Sequence, residues 1–267
     1  MLRLLWAFLE RDFVEETSYR LSFFMSLFSV IFGAFTFYFL AQLVDARTIP
    51  ALAEYNTDYF SFVLIGIAFN GYFTVGLNSF SRGLRQAQNT ATLEAMIMTP
   101  APLPGIVVGS AVWGYAYATL RVFVYLLLGV LLGVRFTHAN VVGGLVGLAL
   151  SIMAFASLGI MAAGIITVIK RGDPVTAILT QLATLLGGIY FPITVLPGWL
   201  QTISRLLPVT YAVDVMRLAL LKGAGWAELR PNLLTLAGFC VVLFPLSLLI
   251  FRLAVERARL EGTLTHY

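Results

Sequence analysis

Charged residues are scarce in this chain of 267 residues, of which 11% are Asp, Glu, Lys or Arg and 60% are hydrophobic. Soluble domains carry about 25% charged residues, so this composition excludes an ordinary soluble fold and predicts a protein with several membrane spans. Cys240, which lies in an apolar run, is the one cysteine of the sequence, so a disulfide within the chain is excluded. The sequence also has no basic run interleaved with aromatic residues that would bind nucleic acid.

Residues that support catalysis or nucleotide binding are missing too. Lysine occurs only as Lys170 and Lys222, and the sequence has no G-x-x-x-x-G-K-[ST] phosphate-binding loop. The two histidines, His138 and His266, are far apart in sequence, and no apolar run holds a pair of carboxylates. A membrane-embedded hydrolase or metalloenzyme needs such groups within reach of one another. The sequence therefore predicts no catalytic residues, no metal site and no cofactor in this chain.

Six apolar runs are each near the roughly 20 residues that a helix needs to cross a bilayer. They predict an all-α membrane protein with spans at about 21–44, 59–80, 105–134, 141–169, 175–191 and 233–253. In residues 1–20, apolar side chains recur every three or four positions and charges fill the rest. This pattern predicts an amphipathic helix that lies in the headgroup region or packs on a partner protein. A charged tail, 256–267, closes the chain.

The distribution of basic residues between the short loops predicts the orientation in the membrane. Six crossings place both termini on the same side. The loops of one side carry four basic residues and those of the other carry two: Arg82, Arg85, Lys170 and Arg171 against Arg47 and Arg135. The positive-inside rule therefore predicts that both termini and the segment 81–104 are cytoplasmic, and that the segment 192–222 lies on the outer side.

The stretch 187–222 is apolar enough to enter a bilayer but cannot form one straight helix. Pro192, Pro197 and Pro208 each remove a backbone donor and clash with the preceding turn. Two short helices fit between these breaks, Trp199–Leu207 and Tyr211–Leu221. Two interpretations are open: a re-entrant segment that dips into the membrane beside a pathway, or an amphipathic loop on the outer surface. The short lengths favour the first, because broken backbone at membrane depth is tolerated where it lines a cavity.

The segment 88–100 predicts a short cytoplasmic helix, which the prolines from Pro100 onward end. Leu93, Met96 and Ile97 share one of its faces. A helix this short is marginal by itself, so this apolar face needs a surface to pack on. Both a partner protein and the membrane surface meet that need.

A few polar residues lie inside the predicted spans. Arg121 is near the middle of the third span, where an arginine costs at least about 2.5–3.5 kcal/mol. Tyr117 and Tyr125, one turn before and after it, can flank the guanidinium. Arg121 either contacts an anionic substrate or lipid headgroup, or reaches main-chain carbonyls or water between helices. Asn70 and Asn78 in the second span either line a pathway or hydrogen-bond a neighbouring helix.

Two motifs in this chain resemble those of ABC-2-type exporter permeases. The Thr-Leu-Glu-x-x-x-x-Thr-Pro of Thr92–Pro100 resembles the coupling-helix loop of that family. The Phe-Pro-x-x-x-Leu-Pro-x-Trp-Leu of Phe191–Leu200, followed by Leu-Pro-Val-Thr-Tyr-Ala-Val-Asp at Leu207–Asp214, is similar to its outer re-entrant segment. The six-span layout and the leading interfacial helix also match. The resemblance covers nearly the whole chain, with 21–255 as the transmembrane domain.

The resemblance implies a membrane subunit of an ATP-driven exporter in a prokaryotic inner membrane. Two permeases, identical or similar, would pair with two separate ATPase subunits, and those subunits would bind ATP and Mg²⁺. The first cytoplasmic loop would dock on the ATPase through Thr92, Leu93, Glu94, Met96, Ile97, Thr99 and Pro100. The outer re-entrant helices would close the pathway between the permeases, with gate residues Phe191, Pro192, Leu196, Pro197, Trp199, Pro208, Tyr211 and Asp214.

The expected cargo is an amphipathic, lipid-linked, polysaccharide or drug-like molecule, because all of these are compatible with the resemblance. Membrane lipid is an expected partner and nucleic acid is not. The alternative function is that of a passive channel or an ion-coupled secondary transporter. The shortage of carboxylates within the spans argues against coupling to protons or sodium ions.

Overall fold

The structure is a computed structural model, and it describes residues 2–43, 52, 55, 57–89, 103–136, 138–169 and 173–260. The predicted ATPase-coupling residues lie outside these ranges: Thr92, Leu93, Glu94, Met96, Ile97, Thr99 and Pro100. The described part of the chain is helical, apart from its turns and connections, and contains no strand. The all-α prediction is confirmed for these residues.

Nine α-helices make up the described part of the chain. They are α1 (Leu2–Ser18), α2 (Arg20–Leu43), α3 (Tyr59–Asn89), α4 (Leu103–Leu131), α5 (Val141–Ile169), α6 (Asp173–Leu186), α7 (Gly198–Arg205), α8 (Pro208–Arg217) and α9 (Trp226–Leu260). A 3₁₀ turn, Ile193–Val195, precedes α7, and a π-helical turn, Leu218–Lys222, follows α8. The helix α9 begins seven residues before the predicted last span and continues through Pro231 and Pro245.

Five of these helices are long and apolar enough to cross a membrane, as judged over the described residues. The crossing stretches are Phe23–Leu43, Tyr59–Phe80, Ala111–Leu131, Val141–Ile166 and Trp226–Ala254. They correspond to five of the six predicted spans. The chain is therefore a multi-pass membrane protein.

The predicted fifth span, 175–191, is shorter in the structure. The helix α6 has 14 residues and ends at Leu186, so at 1.5 Å per residue it is about 21 Å long. A hydrocarbon core of about 30 Å exceeds that length, and this span is not confirmed as a crossing helix. The chain turns at Gly187–Gly188, where Gly188 has a left-handed φ of 75° that residues with a Cβ rarely adopt.

The helix α3 forms the centre of the bundle. Its membrane stretch is 72% buried within the protein, whereas that of α2 is 11% buried and faces outward. α3 packs on α4 and α5, and α5 packs along α9. α3 and α5 touch at Gly76 and Gly159, where a Cβ on Gly159 would overlap the carbonyl oxygen of Gly76. Small residues at such crossings let helix backbones approach closely.

The helix α1 packs against α4 of the same chain. The Phe8 ring fills the space beside Gly109, and the indole Nε1 of Trp113 donates a hydrogen bond of 3.3 Å to a carboxylate oxygen of Glu16. Trp6 remains 66% exposed. The amphipathic helix is therefore attached to the bundle on one side, and a large aromatic side chain points away from it.

Contacts between distant segments define the two ends of the bundle. At one end, Asn140 at the start of α5 donates hydrogen bonds to the carbonyls of Ala219 and Ala224. At the other end, Gly164 of α5 lies against Phe251 of α9. The connections 132–140 and 218–225 thus meet at one end, and the C-terminal parts of α5 and α9 meet at the other.

Candidate functional site

The broken stretch after α6 contains two short helices in very different surroundings. α7 lies at the surface, with Trp199 68% and Leu206 69% exposed. In α8, eight of the ten residues are buried. α8 packs against α3, α5 and α9, and Gly147 of α5 leaves the space that the Val215 side chain occupies. The second helix is therefore part of the bundle core.

A fully buried arginine lies at the C-terminal end of α8. Arg217 is 1% exposed, and its guanidinium donates hydrogen bonds to three main-chain carbonyls. Its Nε is 3.1 Å from the Phe62 oxygen, Nη1 is 2.8 Å from the Gly188 oxygen, and Nη2 is 2.9 Å from the Ile189 oxygen. The guanidinium carbon also lies 3.4 Å from the centroid of the Phe62 ring. One side chain thus connects α8 to α3 and to the turn after α6.

The neighbouring backbone is shaped to receive this guanidinium. A Cβ at Gly66 of α3 would lie 2.7 Å from Nη2 of Arg217 and would overlap the Ile189 carbonyl oxygen. The left-handed Gly188 turns the chain so that its own carbonyl and that of Ile189 both accept from Arg217. Glycine is therefore required on both sides of the contact, for space at Gly66 and for conformation at Gly188.

A carboxylate and a phenol accompany the buried charge. Asp214 Oδ1 lies 3.9 Å from Nη1 of Arg217, and the Tyr55 hydroxyl donates a 2.8 Å hydrogen bond to the same oxygen. Tyr55 is itself buried, and its ring packs edge-on against that of Phe62. The carboxylate and the carbonyl dipoles together compensate a charge that could not stay buried alone.

Magnitudes indicate how firmly this contact holds. A hydrogen bond from a charged group contributes about 1.5–3 kcal/mol, and a buried acceptor left without a donor costs about 1–3 kcal/mol. Removing the guanidinium would leave two such acceptors in the turn, those of Gly188 and Ile189, whereas the Phe62 carbonyl keeps the backbone donor of its own helix. The Arg217 contact is therefore expected to be among the strongest polar contacts of the described chain.

The predicted gate residues occupy both parts of the broken stretch. Pro208 is buried at the first turn of α8, and Pro192 is buried before the 3₁₀ turn. The Tyr211 hydroxyl donates a 3.0 Å hydrogen bond to the Arg205 carbonyl, which ties α8 to the end of α7. Asp214 belongs to the Arg217 contact. The remaining gate residues lie in α7 or in the connection between α6 and α7: Phe191, Leu196, Pro197 and Trp199. Their role as a gate stays a prediction.

The two asparagines of α3 make different contacts. Asn70 Nδ2 lies 3.4 Å from the Thr184 hydroxyl of α6, so this side chain joins two helices. Its Oδ1 is buried and has no hydrogen-bond partner among the described residues. Asn78 Nδ2 donates to the Thr74 carbonyl one turn earlier in its own helix. The structure thus shows that Asn70 bonds a neighbouring helix and that the Asn78 amide nitrogen donates within its own helix.

Arg121 and Tyr125 lie where α2 crosses α4. Arg121 is half-buried and forms a hydrogen bond with the Tyr125 hydroxyl. That hydroxyl lies close to α2, because a Cβ added to Gly33 of α2 would be 3.6 Å from it. Tyr117 instead stacks on Trp113, and its hydroxyl is buried without a hydrogen-bond partner in the described part of the chain. Of the two tyrosines predicted to flank Arg121, Tyr125 therefore makes the contact.

If Arg121 contacts an anionic cargo, Arg121→Gln should weaken transport while the protein reaches the membrane at the wild-type level, because the contact that binds the cargo is lost. The guanidinium is half-buried, and its hydrogen bond to Tyr125 lies within one helix turn, so its loss should leave the packing between helices intact. Membrane level and transport rate are the two measurements. A protein that no longer accumulates would instead assign Arg121 a structural role, and Tyr125→Phe controls for loss of the shared hydrogen bond.

Sequence reasoning did not single out Arg217, which lies within the segment 192–222 that was predicted to be on the outer side. The signal was present, because Asp214 and Arg217 are three residues apart on one helix face and the residues around them are apolar. Gly187–Gly188 further marks a turn upstream. No local pattern, however, predicts that the carbonyls of Phe62, Gly188 and Ile189 converge on this side chain.

The bundle, with a broken helical pair inserted before its last helix, defines a polytopic membrane protein of the transporter kind. The sequence model of the ABC-2 type transporter family matches residues 3–221. The match covers most of the chain, and the protein belongs to the ABC-2 type transporter family. Members of this family supply a transmembrane subunit and not the ATPase.

Two curated proteins resemble this chain at low identity. It is 27% identical to nodulation protein J of Sinorhizobium fredii (strain NBRC 101917 / NGR234) over 173 residues, which cover 62% of this chain and 64% of that protein. It is 27% identical to nodulation protein J of Rhizobium meliloti (strain 1021) over 161 residues, covering 60% of this chain and 61% of that protein. The matched region thus spans less than two thirds of the length of either relative.

Proposed function

We propose that this chain is the membrane-spanning permease subunit of an ATP-driven exporter in a prokaryotic inner membrane. It works with a second permease, identical or similar, and with separate ATPase subunits that bind ATP and Mg²⁺. The observation that carries the proposal is the family match over residues 3–221. The cargo is an amphipathic, lipid-linked, polysaccharide or drug-like molecule, which suits the apolar, aromatic-rich spans.

The inserted helix α8 supports a gating role for the broken stretch. Its buried position agrees with a re-entrant segment better than with a loop lying on the outer surface. α7, with its exposed Trp199 and Leu206, fits the lipid-facing side of such a segment, since tryptophan favours the membrane interface. We propose that α8 closes the outer end of the pathway and that α7 positions it.

The contacts at the two ends of the bundle support six crossings, even though α6 is short. The turn after α6 and Phe62, near the start of α3, both bind the Arg217 guanidinium. The connection 132–140 lies at this same end of the bundle. α6 itself begins four residues after α5 ends at the opposite end of the bundle. α6 therefore runs from one end of the bundle towards the other, as a crossing segment does.

Single cysteines in a Cys240→Ser background test this topology. We expect Thr48→Cys to react with an impermeant thiol reagent in whole cells and Thr92→Cys to be shielded, because the basic loops are cytoplasmic. Glu256→Cys, on the exposed C-terminal part of α9, should also be shielded if α6 crosses. Reaction at Glu256→Cys together with shielding at Thr92→Cys would show that α6 does not cross. Shielding at Thr48→Cys together with reaction at Thr92→Cys would overturn the predicted orientation.

Copurification tests the function directly. The tagged permease is co-expressed with an untagged ATPase subunit encoded by a neighbouring gene, and the purified complex is assayed for ATP hydrolysis in lipid vesicles. We expect the ATPase to copurify and its hydrolysis to rise with an amphipathic drug or a lipid-linked glycan. Absence of the ATPase, together with solute flux through vesicles that contain no ATP, would instead identify a passive channel.

A further inference from the structure

The helix α3 joins the predicted ATPase-docking segment to the outer end of the bundle. It begins at Tyr59, beside the Arg217 contact, and its last residue, Asn89, leads directly into the segment 90–100. Its 31 residues extend about 46 Å at 1.5 Å per residue, which exceeds the roughly 30 Å of a hydrocarbon core. A displacement at the cytoplasmic end of such a helix is transmitted to its outer end.

At that outer end the guanidinium of Arg217 binds α3 to α8. Its three nitrogens donate to the carbonyls of Phe62, Gly188 and Ile189, and its central carbon lies 3.4 Å from the centroid of the Phe62 ring. Arginine stays charged in proteins, so the side chain cannot become neutral in order to leave. Moving α8 away from α3 would separate the guanidinium from the Phe62 carbonyl, and separating it from the turn as well would leave the Gly188 and Ile189 carbonyls without this donor in a buried site.

We propose that Arg217 is the positioning residue through which movement of α3 reaches the gate helix α8. It holds α3, the Gly188–Ile189 turn and α8 together as one unit, which we call the latch unit. ATP-driven displacement of α3 therefore carries α8 with it, and the gate does not open as an independent flap. This inference rests on the proposed function, because it requires an ATPase that acts on the cytoplasmic end of α3.

The test measures distances between pairs of spin labels in a Cys240→Ser background. Labels at Thr57→Cys and Val195→Cys report the separation of the start of α3 from the connection after the turn, within the latch unit. Labels at Val195→Cys and Leu131→Cys report the position of the latch unit relative to the outer end of α4. Both Val195 and Leu131 are exposed, at 61% and 72%, so a label at either position should not disturb the core.

Two pairs of matched variants disturb the latch or leave it intact. Arg217→Gln removes the guanidinium, whereas Arg205→Gln makes the same change at an exposed arginine of α7. Gly66→Ala keeps Arg217 but places a methyl group 2.7 Å from its Nη2 and into the Ile189 carbonyl oxygen, so it disturbs both the donor and one acceptor of the latch, whereas Gly71→Ala adds a methyl group in open space on the same helix. Arg217→Lys keeps the charge but offers one nitrogen where three are needed, and it replaces Arg217→Gln if that variant does not accumulate.

The first measurement uses the permease without nucleotide. We expect Arg217→Gln and Gly66→Ala to broaden the Thr57–Val195 distance distribution about twofold, because a local tertiary contact is lost. Arg205→Gln and Gly71→Ala should match the parent. Unchanged distributions in both latch variants would overturn the proposal, whether or not an ATPase partner exists.

The second measurement uses the complex with the ATPase, without nucleotide and trapped with ATP and vanadate. In the parent we expect the Val195–Leu131 distance to change on trapping while the Thr57–Val195 distance stays fixed. In the latch variants, trapping should no longer shift the Val195–Leu131 distance. A parent in which Thr57–Val195 changes on trapping would show that the connection after the Gly188–Ile189 turn moves independently of α3, so that Arg217 does not hold the latch unit together, which overturns the inference. Failure of the ATPase to copurify would instead count against the proposed function, and the first measurement still decides whether the latch exists.

Discussion

Gly159→Val should strongly lower the amount of protein that accumulates in the membrane and its thermal unfolding midpoint. A Cβ at this position of α5 would overlap the Gly76 carbonyl oxygen of α3 and lie 2.7 Å from the Phe80 ring. Because backbone atoms of a central helix cannot yield as a flexible side chain does, the two helices would have to separate. Overpacking of this kind costs about 1–3 kcal/mol or more, out of a total stability of about 5–15 kcal/mol.

The matched control for this prediction is Gly238→Val. Gly238 lies in α9, within a candidate membrane span, but a Cβ added there meets no atom within 4 Å. Both substitutions exchange the same residues inside a helix, so their intrinsic helix propensities change equally. The measurement is the membrane level of a fluorescent fusion and its thermal unfolding midpoint. Equal levels and midpoints for the two variants would contradict the close crossing of α3 and α5.

Changing Leu93 and Ile97 together to Asp should abolish coupling to the ATPase. Each large apolar side chain contributes about 1.5–3 kcal/mol when it is buried, and the two carboxylates add the cost of desolvating charge. The spans are unaltered, so the variant should still insert and assemble with a second permease. We expect it to lose the ATPase on copurification, or to retain it without cargo-stimulated hydrolysis.

Ala91→Asp combined with Ala95→Asp is the control for this variant. These positions have the same spacing and receive the same charges, but they lie on the opposite face of the predicted helix. We expect the control to bind the ATPase as the parent does. If Leu93→Asp with Ile97→Asp binds the ATPase and exports normally, the segment 88–100 is not the docking element.

Much of the fold follows from the sequence because the bilayer limits what a chain can form. A bilayer core demands apolar helices of near-constant length, and this requirement produced the five spans that sequence and structure share. The breaks at Pro192, Pro197 and Pro208 likewise follow from local chemistry, and the structure begins α8 at Pro208. The family resemblance, carried by two motifs, agrees with the match over residues 3–221.

The candidate site was less predictable, because its contacts join parts of the chain that are distant in sequence. Asn70 meets Thr184 across 114 residues, and α6 ends at Leu186, before a glycine turn, although the apolar run that predicted the span continues to 191. The segment 88–100 was predicted to be a docking helix from its own pattern and from the family resemblance, and the pattern leaves open whether a partner or the membrane surface covers its apolar face. Sequence periodicity reports which face of a helix is apolar, and it does not report what covers that face.

The sequence by itself determined the class of protein, its apolar spans and its broken outer stretch, since each depends on the chemistry of neighbouring residues. Only the tertiary structure decided that Arg217 lies in the core and not in an outer loop. Its burial requires carbonyls from Phe62, Gly188 and Ile189 to meet one guanidinium, with the space at Gly66 left open. An arginine can be buried where the folded backbone supplies acceptors, and only the packing of α3, α6 and α8 places them there.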